Sequence, residues 1–499
     1  MRRAKDIELA ITPRPDGRFR HRWLYEEIRA AILAGSLAPG ARLPATRDIA
    51  QRHRLSRGTV LGVFAQLAAE GYVVGAVGRG TFVAPVLPDP PLRPPEGAPV
   101  PPPDRGGGAT LSARGRQLAR TVFPQAGQVL PALAFRASQP DLAAFPFALW
   151  ARIAARRARL SHRSVLADGE ARGFRPLRAA IAEHLGAARG IACTADQVVI
   201  TGSVQQILDL GARLTLDSGD RAWIEDPGYP GARLVLEAAG ARVVGVPVDG
   251  GGIDVAAGRA LAPDARLAYV TAGRQAPLGC VLTLERRLAL LAWAAEAGAT
   301  IIEDDYDSEF RFEGSPLAAM KGLDDGGRVI YAGTFSKVLF PAIRMAYAVV
   351  PEHLAESFGA ALSLTCRHMP LLPQVILHEF IAEGHFGRHV RRMRLLYAER
   401  AKALVSAVRT HLSGLLDLPA ITTGLDAPSF LPAGVDDAAV AAAAAGIETR
   451  PLSFYRVERP VPPGLVLGFA AVEEAKIHAA AAGLAQVIEP FCRQASPRG

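Results

Sequence analysis

Cysteine is scarce in this chain of 499 residues: there are four, Cys193, Cys280, Cys366 and Cys492. They are scattered without metal-ligand spacing or a paired framework, which excludes a disulfide scaffold and suits a reducing compartment. Lysine is also scarce, so arginine carries most of the positive charge. No uninterrupted apolar run approaches the roughly 18 residues of a spanning helix. The amino terminus, MRRAKDIELA, lacks the apolar core of a signal peptide. We therefore expect a cytoplasmic protein with no membrane partner. Histidines and carboxylates nowhere gather at ligand spacing, so no metal is expected.

The charge that is present is unevenly placed. Residues 1–84 hold 14 Lys and Arg against 7 Asp and Glu, a surplus of +7 out of +9 for the whole chain. A basic first sixth on a nearly neutral remainder points to a polyanion-binding module joined to something else. A chain of this length also exceeds one hydrophobic core, so two or three domains are expected.

Within the basic segment, Leu24, Ile28 and Ile32 recur every four residues and make one apolar helical face from His21 to Leu33. A second helix fits Thr46 to His53. Ser56 is a good N-cap for a third, Arg57 to Glu70, with Val60, Phe64 and Leu67 inward. The run YVVGAVGRGTFVA then reads as a two-stranded hairpin. Three helices and a β-wing make a winged helix-turn-helix, whose third helix enters the major groove amino end first. That geometry puts Arg57 and Thr59 near phosphates or base edges, Arg47 on the backbone, and Gly78 and Arg79 at the wing tip. The partner is then a double-stranded DNA operator. The stretch LYEEIRAAILAGSLAPGARLPATRDIAQRHRLSRGTVLGVFAQLAAEGYV resembles the GntR family of bacterial regulators. It departs from that pattern in exposing Gly58, Leu61 and Gly62 on the reading helix, which shifts weight toward phosphate contacts and DNA shape.

Residues 85–110, dense in proline and then glycine, read as a semi-rigid spacer with a flexible end. From there to residue 499 we expect a second folded unit. Its large subdomain should span about residues 165–355, and the flanking segments should form a small one. Strands are predicted at 197–200, 221–225, 241–248, 265–271, 299–303, 328–333 and 346–350, with helices in most gaps. This alternation implies an α/β fold with a mostly parallel sheet, whose ligands sit beyond the carboxyl ends of the strands.

Those ends carry distinctive chemistry. One strand runs into Thr201, Gly202 and Ser203 and then directly into a helix, a ready phosphate seat. Another ends in Glu303-Asp304-Asp305-Tyr306-Asp307. A third delivers Ser336 and Lys337, with Arg344 seven residues on, and EDPGYPG places Tyr229 on a turn. Together these offer an amine for a Schiff base, a carboxylate for a pyridine nitrogen, a phenol, an aromatic face and a phosphate cup, which is what pyridoxal 5'-phosphate requires.

Residues from about 133 to 470 resemble fold-type-I aminotransferases, through stretches such as IIEDDYDSEFRFEG and YAGTFSKVLFPAIR. Joined to the basic module, they resemble the MocR/GabR-type subfamily of GntR regulators. The resemblance implies that Lys337 carries the cofactor as an internal aldimine, that Asp304 pairs with the pyridinium and that Tyr306 bonds the ring hydroxyl. It further implies that Tyr229 stacks on the ring and that Gly202, Ser203, Ser336 and Arg344 hold the phosphate. A homodimer is implied too, together with a sensor in which an amine or amino-acid effector forms an external aldimine. Turnover as a working transaminase, or a cofactor-free dimerisation scaffold, are the alternatives.

Four positions depart from that pattern. Arg274 stands where relatives have a neutral or titratable ring, and is a candidate effector residue. Asp168 aligns roughly with a phosphate-reaching tyrosine, Asp426 with a histidine, and Val466 with the arginine that takes a substrate carboxylate.

Overall fold

The computed structural model describes residues 19–76, 79–88, 110–120, 133–160, 167–314 and 318–495. The chain divides into two compact units, residues 1–110 and 111–499. Most of the expected linker, from 89 to 109, lies outside the described residues, as does Gly78.

In the first unit, α1 (Arg20–Leu33), α2 (Thr46–Arg52) and α3 (Arg57–Ala69) precede a hairpin of β1 (Val73–Ala76) and β2 (Gly80–Val83). The face expected from the four-residue spacing is the buried one: Leu24, Ile28 and Ile32 meet Ile49, Val60, Val63, Phe64 and Leu67 in one core. Ser56 caps α3, its Oγ accepting from the Thr59 N–H. Because this bond satisfies one of the helix's free N–H groups, α3 begins at Arg57 and not a turn later.

The second unit is built on an eight-stranded sheet in the order β3-β10-β9-β8-β7-β4-β5-β6. Its strands are β3 (Val198–Thr201), β4 (Arg221–Asp226), β5 (Arg242–Asp249), β6 (Gly252–Ile253), β7 (Leu267–Val270), β8 (Thr300–Asp305), β9 (Val329–Thr334) and β10 (Ala346–Val349). Strands β5, β4, β7, β8 and β9 pair in parallel, and β10 runs antiparallel to both β9 and β3. The carboxyl ends of β3, β4, β7, β8 and β9 therefore share one edge with the amino end of β10. That reversal is why Arg344, just before β10, belongs to the same edge as Lys337, just after β9.

Both faces of the sheet are covered, which explains strands that read as continuous apolar runs with no alternation. On one face Ile207, Leu208 and Phe358 pack with Ile224, Ile302 and Ala348. On the other, Trp223 stacks on Trp293 with centroids 3.8 Å apart. A second sheet, in the order β11-β13-β12, comprises β11 (Asp426–Phe430), β12 (Arg450–Pro451) and β13 (Gly464–Gly468). It packs in one core with the long helices His385–His411 and Glu474–Ala495. Short strands interrupted by proline and glycine left these three unread in the sequence.

Candidate functional site

The shared edge of the large sheet gathers the chemistry. Lys337 follows β9 on a turn in which the Ser336 N–H donates to Thr334 Oγ1 at 3.1 Å. Its Nζ donates to the Ser138 carbonyl at 2.8 Å. Burial lowers the Lys337 pKa, with Arg450 adding to the effect and Asp426, Asp307 and Asp304 opposing it. An amine pushed toward its neutral form is the form that can attack a carbonyl.

Asp304 lies one residue before the end of β8 and is 5 % exposed. Its Oδ2 accepts from the Tyr269 hydroxyl at 2.7 Å. Its Oδ1 is buried with no hydrogen-bond partner among the described residues. Burial raises this carboxyl to about 7, against the Tyr269 bond and Lys337. A buried carboxylate oxygen left unmatched is costly unless some donor reaches it.

Tyr306 and Arg274 form a second group. Arg274, 4 % exposed, donates from Nη1 to the Tyr306 hydroxyl at 2.9 Å and to Asp307 Oδ2 at 3.1 Å. From Nη2 it donates to the Asp426 carbonyl at 2.6 Å and to Asp426 Oδ1 at 2.9 Å. The other Asp426 oxygen, Oδ2, accepts from the Ser138 N–H and hydroxyl at 2.7 and 2.9 Å. Burial works against the Arg274 cation, but Tyr306, Asp307 and Asp426 outweigh it and its pKa is raised. Burial raises Asp307 to about 7, Arg274 notwithstanding. Two of the departures noted in the sequence, Arg274 and Asp426, are thus partners of each other.

At the end of β3, Ser203 caps the helix Val204–Thr215, its Oγ accepting from the Gln206 N–H. The Gly202 N–H donates to Gln206 Oε1 at 2.8 Å. A Cβ at Gly202 would lie 3.0 Å from the Met369 methyl carbon, so this turn leaves little room for a larger residue. Arg344 is exposed, with a left-handed φ of +46°. Tyr229 sits at the amino end of the helix Pro230–Ala239, its ring 6.4 Å from that of Tyr269. Burial raises its phenol pKa.

Of the remaining departures, Asp168 is exposed and lies 3.7 Å from both Arg367 and His368. Val466 is buried on β13, paired across β11 with Pro428 and across β12 with Arg450. Sequence reasoning passed over Ser138, Tyr269 and Arg450, and named Asp307 only as a member of the Asp304 cluster. Ser138, 199 positions from Lys337, carries no local signal.

In the first unit Arg47 is exposed, with Asp48 3.5 Å away. Arg57 is exposed on the first turn of α3, Thr59 Oγ1 lies 2.7 Å from Ser56 Oγ, and Arg79 is exposed beside the hairpin. Arg57 and Thr59 thus lie on the first turn of the third helix, Arg47 on the second helix and Arg79 beside the hairpin. Among the described residues no group of three metal-ligating side chains occurs and no helix is long and apolar enough to cross a membrane.

Comparison with known proteins agrees with this division. The model of aminotransferase class I and II matches residues 135–482, and that of the bacterial regulatory proteins of the gntR family matches residues 21–83. The chain is 41 % identical over 456 residues to the probable rhizopine catabolism regulatory protein MocR of Rhizobium meliloti, covering 91 % of this chain and 90 % of that one. It is 31 % identical to the pyridoxine biosynthesis transcriptional regulator PdxR of Corynebacterium glutamicum, over 90 % of this chain and 92 % of that one. Among solved structures it resembles the Pyrococcus horikoshii kynurenine aminotransferase, with a TM-score of 0.67 and 26 % identity over 77 % of this chain and 95 % of that one. It likewise resembles the α-aminoadipate aminotransferase LysN of Thermus thermophilus, with a TM-score of 0.67 and 26 % identity over 77 % of this chain and 96 % of that one.

Proposed function

The chain belongs to the MocR-type regulators of the gntR family, which join a helix-turn-helix unit to an aminotransferase class I and II domain, and from that premise we propose that it is a pyridoxal 5'-phosphate-dependent transcriptional regulator that senses an amine or amino acid. The observation that carries the cofactor reading is the unmatched Asp304 Oδ1 on the same sheet edge as Lys337. A protonated pyridine nitrogen would satisfy that oxygen, and the charge pair would hold Asp304 ionised against its burial. When bound, the cofactor supplies an aldehyde that condenses with primary amines.

Around it, the chain's own residues have separate tasks. Lys337 would hold the aldehyde carbon until an effector amine takes its place. Tyr306, fixed by Arg274, would donate to the ring oxygen, and Tyr229 would cover one ring face. Gly202, Ser203, Ser336 and Arg344 would hold the phosphate at a helix amino end, where N–H groups and the helix dipole favour an anion. The fused helix-turn-helix favours sensing over turnover: an effector with different affinity for two arrangements of the protein would shift its DNA affinity. Arg47, Arg57, Thr59 and Arg79 would contact the operator. The reading includes a homodimer, to be checked by sedimentation.

The test is spectroscopic. Purified protein supplied with pyridoxal phosphate should show a visible absorbance band that an amine effector shifts. Lys337→Ala should abolish the band while the protein remains folded. An identical band in Lys337→Ala, or none in the wild type at saturating cofactor, would overturn the reading.

A further inference from the structure

Arg450 is a half-buried arginine whose charge no carboxylate answers: among the described residues none lies within 4 Å of its nitrogens. Arg287, also without a carboxylate partner among the described residues, is held by the carbonyls of Leu282, Ala318 and Ala272, and five other buried arginines are ion-paired. Arg136, Arg178, Arg189, Arg274 and Arg400 each meet Glu448, Glu170, Asp305, Asp307 or Asp141 respectively. Arg450 has instead the face of Phe454, with its guanidinium carbon 4.9 Å from the ring centroid. Stacking on an aromatic holds a guanidinium by its plane and leaves its N–H edge free for a planar acceptor.

Its place is set by backbone bonds that tie the segment following β12 to the edge carrying the candidate site. The Gly228 N–H donates to the Tyr455 carbonyl at 2.9 Å, next to Tyr229. Asp226, the last residue of β4, accepts from the N–H groups of Val457, Glu458 and Arg459 at 2.9 to 3.0 Å. Arg450 is directly opposite Val466 across the β12-β13 pair, so the two side chains leave the sheet on the same face. Its positive charge is felt at Lys337, Tyr229 and Tyr455 alike. Arg274, a second arginine of this region, has its donors committed to Asp307, Asp426 and Tyr306.

We propose that Arg450 is the specificity-determining residue for an anionic group on the effector, so that the site selects amines that also carry a carboxylate. This rests on the cofactor reading above, in which the effector's amine is drawn to Lys337. The amine and the carboxylate would then be recognised at separate points, Lys337 and Arg450, and an amine without the second group would lose one of its two anchors. The same guanidinium chemistry could serve the cofactor's phosphate, and the experiment separates the two sources.

The cofactor-loaded full-length protein is titrated with glycine, β-alanine and 4-aminobutanoate and with methylamine, ethylamine and propylamine, following the visible band. We expect at least one amino carboxylate to bind the wild type about tenfold or more tightly than the amine of equal chain length, the scale of one charged hydrogen-bonding contact. In Arg450→Met, which keeps an apolar stem on Phe454, that preference should fall to within about twofold, with cofactor affinity unchanged. Arg450→Lys should restore part of it. No preference for any carboxylate in the wild type overturns the inference without reliance on a variant. So does a preference that survives in Arg450→Met, and so does loss of cofactor affinity in that variant, which would assign Arg450 to phosphate. Absence of the band in wild-type protein overturns the cofactor reading instead.

Discussion

Arg274 donates to the Tyr306 hydroxyl at 2.9 Å and to Asp426 Oδ1 at 2.9 Å, so one guanidinium ties the phenol to the small sheet. The guanidinium spans Asp307 on the β8 side and Asp426 at the start of β11. The phenol expected to face the cofactor ring is thereby fixed by a residue that is itself anchored to the small sheet. The buried Arg274 cation is thus met by carboxylates from two separate segments of the chain.

Removing Arg274 would leave Asp307 and Asp426 buried without the guanidinium that bridges them. Breaking a buried pair in this way costs about 3 to 5 kcal/mol. Arg274→Leu should therefore lower the thermal midpoint of the second unit by many degrees, and the double variant Arg274→Leu/Asp426→Asn should recover part of the loss. Calorimetry that finds the single variant as stable as wild type would refute the clamp.

Four buried carboxyls, Glu225, Glu303, Asp304 and Asp307, are each raised by burial to about 7. Between about pH 4 and 7 the folded protein thus holds protons that an unfolded chain has released. Their contribution to stability is full below about 4 and is lost as pH rises through about 7. Cofactor-free protein should melt at a higher temperature at pH 5.5 than at pH 8, and Asp304→Asn should flatten that dependence. A stability that climbs from pH 5.5 to 8 would contradict the sign.

Asp304→Asn should also weaken cofactor binding. An amide carries no charge to neutralise a pyridinium, and its NH₂ group is a donor where an acceptor is needed, so the fall in affinity should be about tenfold or greater. Equilibrium dialysis against pyridoxal phosphate measures it directly. Equal retention by both proteins would remove Asp304 from the cofactor's partners.

Operator binding should weaken as salt rises. Deleting one cation that neutralises a phosphate should reduce the slope of log affinity against log salt by about 0.9. Arg57→Ala is expected to show such a reduction together with weaker binding. An unchanged slope would place Arg57 off the DNA.

Leu24 is fully buried in the core of the first unit. Leu24→Ala should cost about 2 to 5 kcal/mol there and abolish operator binding at physiological temperature, while the cofactor band of the second unit persists. Loss of both signals at one midpoint would show that the units do not unfold separately.

Much of this protein follows from local sequence alone. The spacing of Leu24, Ile28 and Ile32 dictated a helix face, Ser56 a cap, and the apolar runs 197–200, 299–303 and 328–333 dictated buried strands. Each depends on residues a few positions apart, because helix and strand periods are short-range properties. The candidate residues Gly202, Asp304, Tyr306, Ser336 and Lys337 were legible for the same reason: parallel strands deliver their carboxyl ends to one edge. Only the tertiary structure decided the rest. It joined Arg274 to Asp426 across 152 positions and the Lys337 amine to the Ser138 carbonyl across 199. Among the described residues, it left Asp304 Oδ1 without a partner and Arg450 without a counterion. Whether a charge is matched depends on what the chain brings back to it from far away, and no local pattern records that.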